Sequence, residues 1–468
     1  MPSPTPQPIV IIGAGPSGLL LAKYLEQNAI PVVVYEADPH PDHRPQGGTL
    51  DLHEDTGLLA LKETFLLEEA RGMMRSEGEA MKVVDKTGKV WLDENVEGEV
   101  IGVGQGEWEG EIRGRPEIDR TDLRNLLIRS LSPTTIKWNY KLHSVVPLSP
   151  SLYHLNFHDK PPITTSYLVG ADGAFSLVRP LLHDILPSYS GISMYELDIP
   201  SSNLTSALER YIGKGALMML DDEKAVMPQM NSGRRCKVYL ALKVPVDWQR
   251  EHPLPDEGKR EWLCGLFEGW TKEVKEVIMA SEEGSVRQRK IYQYDPEIRW
   301  ETDKTGVTIM GDAAHVMSPF AGEGVNQALA DALLLGQSLV PLFTRPIPSQ
   351  NKSSLLPFPL SLLPISPSPS TELPPKPKPR PVQPITPTSE ELYKALRKFE
   401  RQMMDRAKVE MQGSRDNMEM FFGEEPAKAL AGMLSGFADH SNAGESVFGI
   451  LGIHATGLLR TIRGLVGL

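Results

Sequence analysis

The sequence predicts an α/β fold with three parts: a discontinuous Rossmann-like nucleotide-binding domain, a second domain built on a mixed, mostly antiparallel sheet, and a C-terminal helical segment. Three observations support this prediction. A GxGxxG motif joins a short β-branched run to an apolar helix near the N-terminus. Residues 185–289 alternate short apolar runs with turn signals. Helical periodicity resumes after a proline-rich stretch, from residue 389 onward.

The N-terminal stretch reads as one β-α-β unit. A β-branched run at 8–12 predicts a buried parallel strand, the apolar residues at 19–25 predict a helix, and 32–35 predicts a second strand. Such a unit places the turn after its first strand at the N-terminus of the helix, where backbone N–H groups bind phosphate. The unit therefore predicts a dinucleotide site.

Three glycines in that turn match the chemistry of a dinucleotide site. Gly13 permits the tight turn, Gly15 lets a pyrophosphate approach the backbone, and Gly18 lets the helix pack on the sheet. Glu36 ends the next strand, where its carboxylate can accept hydrogen bonds from a ribose. The motif alone is weak, but this complete context predicts dinucleotide binding.

The same domain is predicted to continue much later in the chain. The run TSYLVGADGAF at 165–175 ends a strand in glycines, and 307–310 predicts another strand before an apolar helix at 325–339. The nucleotide-binding domain is therefore expected to be discontinuous and to comprise residues 8–75, 107–184 and 290–340.

The second domain is expected to comprise residues 76–106 and 185–289 and to face the substrate. Turn signals such as Asp221-Asp222 and Asn231-Ser232-Gly233 separate its short apolar runs, which is typical of an antiparallel sheet.

The last part of the chain divides into a linker and a helical region. Residues 341–389 are rich in proline and serine, which predicts a disordered linker. Residues 390–468 are predicted to be helical, with Ser389 as a candidate N-cap. The apolar tail at 446–468 is expected to pack on the body of the protein or a partner subunit. Its alternative, a membrane interface, is not favoured because only Arg460 and Arg463 could reach lipid headgroups.

Composition narrows the class of protein. The chain has 468 residues and a formal net charge of -12, which argues against nucleic acid as a partner. The N-terminus lacks a signal-peptide pattern and no apolar run is long enough to span a membrane, so the predicted location is the cytoplasm. Cys236 and Cys264 form no CxxC pair, so no disulfide framework or metal site is predicted.

Three further motifs resemble the flavin-dependent aromatic hydroxylases of the para-hydroxybenzoate hydroxylase type: GADGAF at 170–175, GDAAHVMSPFAGEGVNQAL at 311–329 and EIDRTDLRNLLIR at 117–129. The resemblance implies that FAD is the cofactor, with Asp312 on its ribityl or ribose hydroxyls and the loop before the helix against the flavin ring. The predicted cofactor-binding residues are Gly13, Gly15, Gly18, Glu36, Arg44, Gly48, Asp51, Arg124, Asp172, Asp312, Pro319, Gly322, Gly324 and Asn326.

The segment GGTLDLH at 47–53 most resembles the tetracycline-inactivating branch of this class. The resemblance implies that its backbone passes close to the flavin, with Arg44 and Asp51 near the reactive region. His53 is either a ligand contact or a residue that caps a turn. The branch usually has arginine directly after the ribose-binding glutamate, whereas Ala37 follows here.

The expected substrate pocket departs from that branch. Its drug-contacting arginine, histidine, phenylalanine and glycine correspond to Ala216, Lys237, Met227 and Tyr239, so tetracycline need not be a substrate. Methionines and Phe320 would give an apolar pocket for a flat phenolic or polycyclic molecule. The candidate substrate-binding residues are Tyr195, Met218, Met227, Lys237, Tyr239 and Phe320.

The resemblance implies a monooxygenase. FAD would be reduced by transiently bound NADPH or NADH, O2 would add as a flavin hydroperoxide, and its distal oxygen would pass to a phenolic, enolic or polycyclic small molecule. No side chain is assigned as catalytic, and His315 is expected to make a structural hydrogen bond. Two alternatives stay open: an FAD-dependent reductase or dehydrogenase, and a catalytically silent FAD-binding regulatory protein.

Overall fold

A computed structural model describes residues 7–43, 47–75, 77–95, 115–346 and 382–442. The strands are β1 (Ile9–Ile12), β2 (Val32–Tyr35), β3 (Thr49–Asp51), β4 (Met81–Val84), β5 (Val90–Asp93), β6 (Glu117–Asp119), β7 (Ile136–Lys137), β8 (Leu142–Ser149), β9 (Leu152–Phe157), β10 (Lys160–Thr165), β11 (Leu168–Gly170), β12 (Ser188–Ile199), β13 (Ala216–Asp221), β14 (Lys224–Asn231), β15 (Arg235–Lys243), β16 (Arg287–Gln293), β17 (Val307–Ile309), β18 (Thr344–Pro346) and β19 (Val382–Pro384). The α-helices are α1 (Pro16–Gln27), α2 (Leu59–Glu63), α3 (Leu67–Arg71), α4 (Arg120–Arg129), α5 (Ser206–Ile212), α6 (Trp248–Glu251), α7 (Lys259–Gly265), α8 (Lys272–Ala280), α9 (Asp312–His315), α10 (Gly324–Phe343), α11 (Ser389–Phe421) and α12 (Pro426–Asn442).

A five-stranded parallel sheet in the order β17-β11-β1-β2-β7 forms the nucleotide-binding part. Strands β1 (IVII) and β2 (VVVY) inside this sheet are short β-branched runs, because both faces of a parallel sheet are covered and the side chains on both faces must be apolar. The strands come from separate stretches of the chain, as the sequence predicts. The Rossmann-like prediction is confirmed.

The second sheet has seven strands in the order β16-β12-β15-β14-β13-β4-β5. Within this sheet only β13 and β4 pair in parallel, so the prediction of a mixed, mostly antiparallel sheet is confirmed for the described residues. Successive side chains on a strand point to opposite faces. One face packs on α5, α7 and α8, and the other faces Phe320 and α12.

A two-stranded ribbon of β3 and β6 lies between the two sheets. Leu50 and Ile118 pair across it and join the core of the nucleotide-binding part. Asp51 and Glu117 pair in the next register position, where both side chains are buried. The ribbon therefore carries its polar face towards the second sheet, where the Asp119 carboxylate accepts from Ser232 Oγ at 2.5 Å.

The predicted linker is shorter than the sequence suggests on both sides. Helix α10 continues through Pro341 to Phe343, because a proline in the last turn removes only one helical hydrogen bond and a long apolar face outweighs that loss. Strands β18 and β19 then pair, with Pro346 opposite Val382. The central part of the predicted linker, 347–381, lies outside the described residues.

Helix α11 begins with a capping box. Thr388, rather than the predicted Ser389, is the N-cap, because its hydroxyl accepts the N–H of Glu391 at 3.2 Å while the Glu391 carboxylate accepts the N–H of Thr388 at 2.9 Å. Leu392, Leu396, Phe399 and Met403 recur at helical spacing, which places them on one face of α11, and all four are buried.

Helix α12 was not predicted as a separate element. It packs Ala427 and Leu430 against the face of the second sheet that also contacts Phe320. Within the described ranges, no helix is long and apolar enough to cross a membrane. The predictions for the tail at 446–468 and for residues 96–114 lie outside the described residues.

Candidate functional site

The glycine-rich turn between β1 and α1 contains two glycines that are packed against backbone atoms and one that has open space beside it. Gly13 has φ +105°, and a Cβ there would lie 2.3 Å from the carbonyl oxygen of Ala171. A Cβ on Gly18 would lie 2.1 Å from the carbonyl oxygen of Gly13. A Cβ on Gly15 would meet no atom within 4 Å. The N-terminus of α1 therefore presents open backbone N–H groups, which suit a phosphate.

Glu36 braces this turn from the end of β2. One carboxylate oxygen accepts the N–H of Ala14 at 2.6 Å and the other accepts the N–H of Asp38 at 2.9 Å. Each oxygen keeps a second lone pair for a ligand hydroxyl. The residue that follows, Ala37, is exposed and supplies no guanidinium to this end of the groove.

Arg124 lies beside the same turn but binds the protein itself. It donates to the carbonyl of Pro41 at 2.6 Å and to the carbonyl of Ala14 at 3.4 Å, and it lies 3.5 Å from the Asp38 carboxylate. The guanidinium is buried. Its contact with a cofactor stays a prediction, and the role visible in the structure is to brace the turn.

Asp312 follows β17 and lines a groove. Its side chain is exposed to solvent, yet the surrounding protein reduces its hydration and raises its pKa, although charges on His315 and Arg120 oppose that rise. A residue that is open to solvent while surrounded by protein lies in a concave surface. Its carboxylate can accept hydrogen bonds from ligand hydroxyls there.

A buried network holds the backbone around Asp312. The Asp331 carboxylate on α10 accepts the N–H of Gly311 at 2.8 Å and bonds His315 Nε2 at 2.6 Å. Arg406 of α11 donates to the other oxygen of Asp331. The expectation that His315 makes a structural hydrogen bond is confirmed.

The loop from Pro319 to Gly324 opens helix α10. Gly322 has φ +67°, a conformation that favours glycine, and a Cβ on Gly324 would meet no atom within 4 Å. The dipole of α10 concentrates partial positive charge at this end. Like Gly15, Gly324 leaves room for a bound group next to free N–H donors.

Asn326 and Asp51, two of the predicted cofactor-binding residues, form hydrogen bonds within the protein. Asn326 is fully buried, accepts the N–H of His53 at 3.0 Å and donates to the carbonyl of Asp51 at 3.1 Å. Asp51 is 1% exposed and bonds His53 Nε2 at 2.7 Å. Both side chains are buried and brace these segments, and their contact with a cofactor stays a prediction.

His53 completes that buried cluster. Its Nδ1 lies 3.1 Å from the Glu323 carboxylate, an ion pair whose partner belongs to the loop before α10. Burial lowers the pKa of His53, but the charges and contacts of Asp51 and Glu323 outweigh burial and raise the pKa to about 9. The sequence left a ligand contact and a capping role open. His53 is the N-cap of the helical turn at Glu54–Leu58, without a capping bond from its side chain, and its buried ring lies between two carboxylates.

The remaining predicted cofactor residues have mixed outcomes. Gly48 is buried, and its backbone hydrogen-bonds the hydroxyl of Tyr239 from the second sheet. Asp172 accepts the N–H of Leu177 at 2.8 Å and so braces the turn after β11. Arg44 lies outside the described residues. Gly48 therefore connects the chain just before β3 to β15 of the second sheet.

Most of the predicted substrate residues share one sheet face. Met218, Met227 and Tyr239 belong to a single apolar cluster with Phe320 of the α10 loop. Lys237 lies on the same face, but its ammonium is paired with Asp198 at 2.9 Å.

The prediction that Tyr195 lies on the substrate-binding face is wrong. Residues on a strand alternate between faces, and this ring lies on the opposite face, where it packs against Trp262 at 5.9 Å between ring centroids. The sequence analysis missed two residues, Glu196 and Gln229. They lie on the sheet face that contacts Phe320. Counting by twos from Met194 and Met227 would have identified both positions.

Arg120 was also missed. It begins α4, and its charge acts on both Asp312 and Tyr239. Its side chain lies 3.2 Å from the position of a Cβ on Gly47. Its position directly after strand β6 could have identified it in the sequence. Within the described ranges, no group of three His, Cys, Asp or Glu side chains is arranged to hold a metal ion.

Comparisons with known proteins agree with this geometry. Residues 150–345 match the FAD binding domain family, and residues 11–58 match the NAD(P)-binding Rossmann-like domain family. The chain is 30% identical over 381 residues to a monooxygenase of Penicillium thymicola, covering 71% of this chain and 84% of the relative. It is 26% identical over 333 residues to a 3-amino-4-hydroxybenzoate 2-monooxygenase of Streptomyces cremeus, covering 70% of this chain and 77% of the relative.

The fold comparison extends over nearly the whole chain. The crystal structure of tetracycline destructase Tet(51) superposes with a TM-score of 0.61 at 16% identity, covering 99% of each chain. Its identity is low, so this likeness concerns the fold alone. The FAD binding match and the open backbone at Gly15 and Gly324 fit FAD as the cofactor and NAD(P)H as the electron donor. The reductase and the silent regulatory protein are not supported, and the chain belongs to the FAD-dependent monooxygenases.

Proposed function

We propose that this monooxygenase hydroxylates a phenolic, enolic or polycyclic aromatic small molecule bound between the α10 loop and the second sheet. The observation that carries the proposal is the shared apolar cluster: Phe320 of the loop packs with Met218 and Met227 of the sheet. These side chains are almost fully buried against one another, so a flat apolar molecule would bind by displacing them, which the flexible methionine side chains allow. The sequence relative from Streptomyces cremeus carries the name of an aminohydroxybenzoate monooxygenase, which supports the aromatic class.

The reaction balances with the cofactors of the family. The substrate C–H, O2, NAD(P)H and one proton give the substrate C–OH, water and NAD(P)+. FAD, when bound, supplies the chemistry that takes the hydride equivalent and activates O2. The chain contributes binding, orientation and exclusion of water, and no side chain is proposed as a nucleophile.

We propose that FAD lies along the groove between the glycine-rich turn and the α10 loop. Gly15 would face its pyrophosphate, Glu36 its adenosine ribose and Asp312 its remaining hydroxyls. The N-terminal N–H groups at Gly324 would stabilise negative charge on the reduced ring. Arg44, Gly48, Pro319 and Gly322 would complete the wall, while Gly13, Gly18, Asp51, Arg124, Asp172 and Asn326 would hold the wall in shape.

The polar residues of the sheet face would orient the substrate. Burial raises the pKa of the Tyr239 hydroxyl, so this group stays protonated at neutral pH. Glu196 and the paired Lys237 lie on the same face, with 3.8 Å between the Lys237 ammonium and the Glu196 carboxylate. Ala216 stands where the tetracycline-inactivating branch has arginine, so we propose that the substrate class differs from tetracycline.

The test is a screen of phenolic and polyketide-like compounds with the FAD-loaded protein. A substrate should stimulate NADPH or NADH oxidation, consume O2 and yield a product one oxygen atom heavier. Met227→Ala and Tyr239→Phe should raise KM for that compound, whereas the matched control Tyr195→Phe, on the opposite face, should not. Reduced-cofactor oxidation without O2 consumption would identify a reductase and overturn the proposal.

A further inference from the structure

Two segments of the groove wall are joined through a single imidazole ring. One segment runs from Gly47 to His53 and the other from Pro319 to Gly324, and they are more than 260 residues apart in the chain. His53 Nε2 lies 2.7 Å from the Asp51 carboxylate, and its Nδ1 lies 3.1 Å from the Glu323 carboxylate. Asn326, two residues after the second segment, adds two hydrogen bonds to the first.

The two carboxylates need this ring as their cation. Asp51 and Glu323 are 1% and 2% exposed, and among the described residues neither forms an ion pair with lysine or arginine. An unpaired buried carboxylate is strongly destabilising, whereas an imidazolium between two carboxylates offsets much of the desolvation. If the ring loses its proton, the ionic attraction between the two segments is lost, and the Asn326 hydrogen bonds remain.

We propose that the His53 imidazolium is an ionic latch that holds these two segments together, so that FAD affinity depends on the protonation of His53. This inference rests on FAD lying between the two segments, as proposed above. His53 is a positioning residue, because it is buried and acts through the loop that begins α10.

The titration of the latch is set by the groups around it. Burial lowers the pKa of His53, and Asp51 from β3 and Glu323 from the α10 loop outweigh burial and raise the pKa to about 9. From β6, the carboxyl of Glu117 faces Asp51, and burial raises its pKa well above the usual range. From α10, Asn326 is neutral. The latch is therefore charged at neutral pH and loses its charge as pH rises through about 9.

The experiment is a titration of the FAD-depleted protein with FAD, followed by flavin fluorescence between pH 6.5 and 10. Wild-type affinity should fall about tenfold between pH 8 and pH 10, the size expected for a change of one pKa unit in coupling. His53→Gln should bind FAD with the lower affinity at every pH, with a flat profile. Adding Glu323→Gln to His53→Gln should recover part of the affinity, because it removes an unpaired buried charge.

His183→Gln is the matched control, because His183 is also a buried histidine but has a pKa of about 4 and stays neutral throughout the titration. It should keep the wild-type fall above pH 8. A wild-type protein that binds no FAD would overturn the proposed function. Normal FAD binding with the same affinity and pH profile in His53→Gln would overturn the latch alone. If His53→Gln does not fold, Glu323→Gln decides: a weakened pH dependence supports the latch, and an unchanged one overturns it.

Discussion

The carboxylate of Glu36 accepts the backbone N–H of Ala14 at 2.6 Å, which ties the end of β2 to the glycine-rich turn after β1. The same side chain accepts the N–H of Asp38 through its other oxygen. Glu36 thus shapes the turn before any ligand arrives. A residue that the sequence marks as a ribose contact is also a structural brace, and the two roles can be separated by substitution.

We expect Glu36→Gln and Glu36→Ala to differ in their effect on stability and FAD affinity. Glu36→Ala removes both hydrogen bonds to a charged acceptor, each contributing about 1.5–3 kcal/mol, so it should lower both the melting temperature and FAD affinity. Glu36→Gln keeps one acceptor oxygen and should lose less of each. Thermal melting with and without FAD measures both effects. Equal melting temperatures for Glu36→Ala and wild type would contradict the brace.

Asp312→Ala should separate cofactor binding from stability. The Asp312 side chain is open to solvent, and the surrounding protein reduces its hydration and raises its pKa. The FAD-free protein should therefore melt at the same temperature or slightly higher after the substitution. FAD affinity should fall by about 2 kcal/mol, as for a hydrogen bond to a charged group. Asp331→Ala is the contrasting variant, because it removes a fully buried network and should lower the melting temperature directly. Unchanged FAD affinity in Asp312→Ala would show that its assignment is wrong.

Local rules predicted the elements of the nucleotide-binding part. The β1-α1-β2 unit, the buried face of α11 and the role of His315 depend on periodicity and on short spacings that are visible in one stretch of chain. The errors depend on contacts between distant segments. Nothing near Tyr195 in the sequence says which face of β12 meets α7, and nothing near Asn326 says that Asp51 and His53 lie against it. The register of β3 with β6, which buries Asp51 beside Glu117, is likewise set by tertiary pairing.

The proline-rich segment should be replaceable between Pro346 and Val382. These two residues lie opposite each other in the β18–β19 ribbon, so a short Gly-Ser tether can join the strands without moving either one. Replacement of 347–381 should leave FAD content and the melting temperature nearly unchanged. Removal of 341–389, which includes the buried Phe343 and the ribbon, should instead lower the melting temperature. A large loss of stability in the shorter replacement would contradict this prediction.

Glu117→Gln should stabilise the protein increasingly as pH rises. Burial raises the pKa of the Glu117 carboxyl, Arg75 opposes that rise and the Asp51 charge adds to it. Above the unfolded pKa of about 4.3, the unfolded chain has lost a proton that the folded chain retains, so wild-type stability from this group falls as pH rises. Glutamine has the shape of the protonated acid and carries no such penalty. Urea unfolding at pH 5 and pH 8 should therefore show a variant advantage that is larger at pH 8.

The control for that experiment is Glu283→Gln, whose pH dependence should have the opposite sign. The Glu283 carboxylate accepts the N–H of Lys259 at 2.6 Å and contacts Arg260, and the Lys259 hydrogen bond is the main cause that lowers its pKa. A lowered pKa stabilises the folded state above the unfolded pKa and is lost as pH falls, so Glu283→Gln should be less stable than wild type at pH 8, with a smaller difference at pH 4. If Glu117→Gln showed the same trend as Glu283→Gln, the carboxyl of Glu117 would be ionised in the folded protein, and the neutral acid inferred beside Asp51 would be wrong.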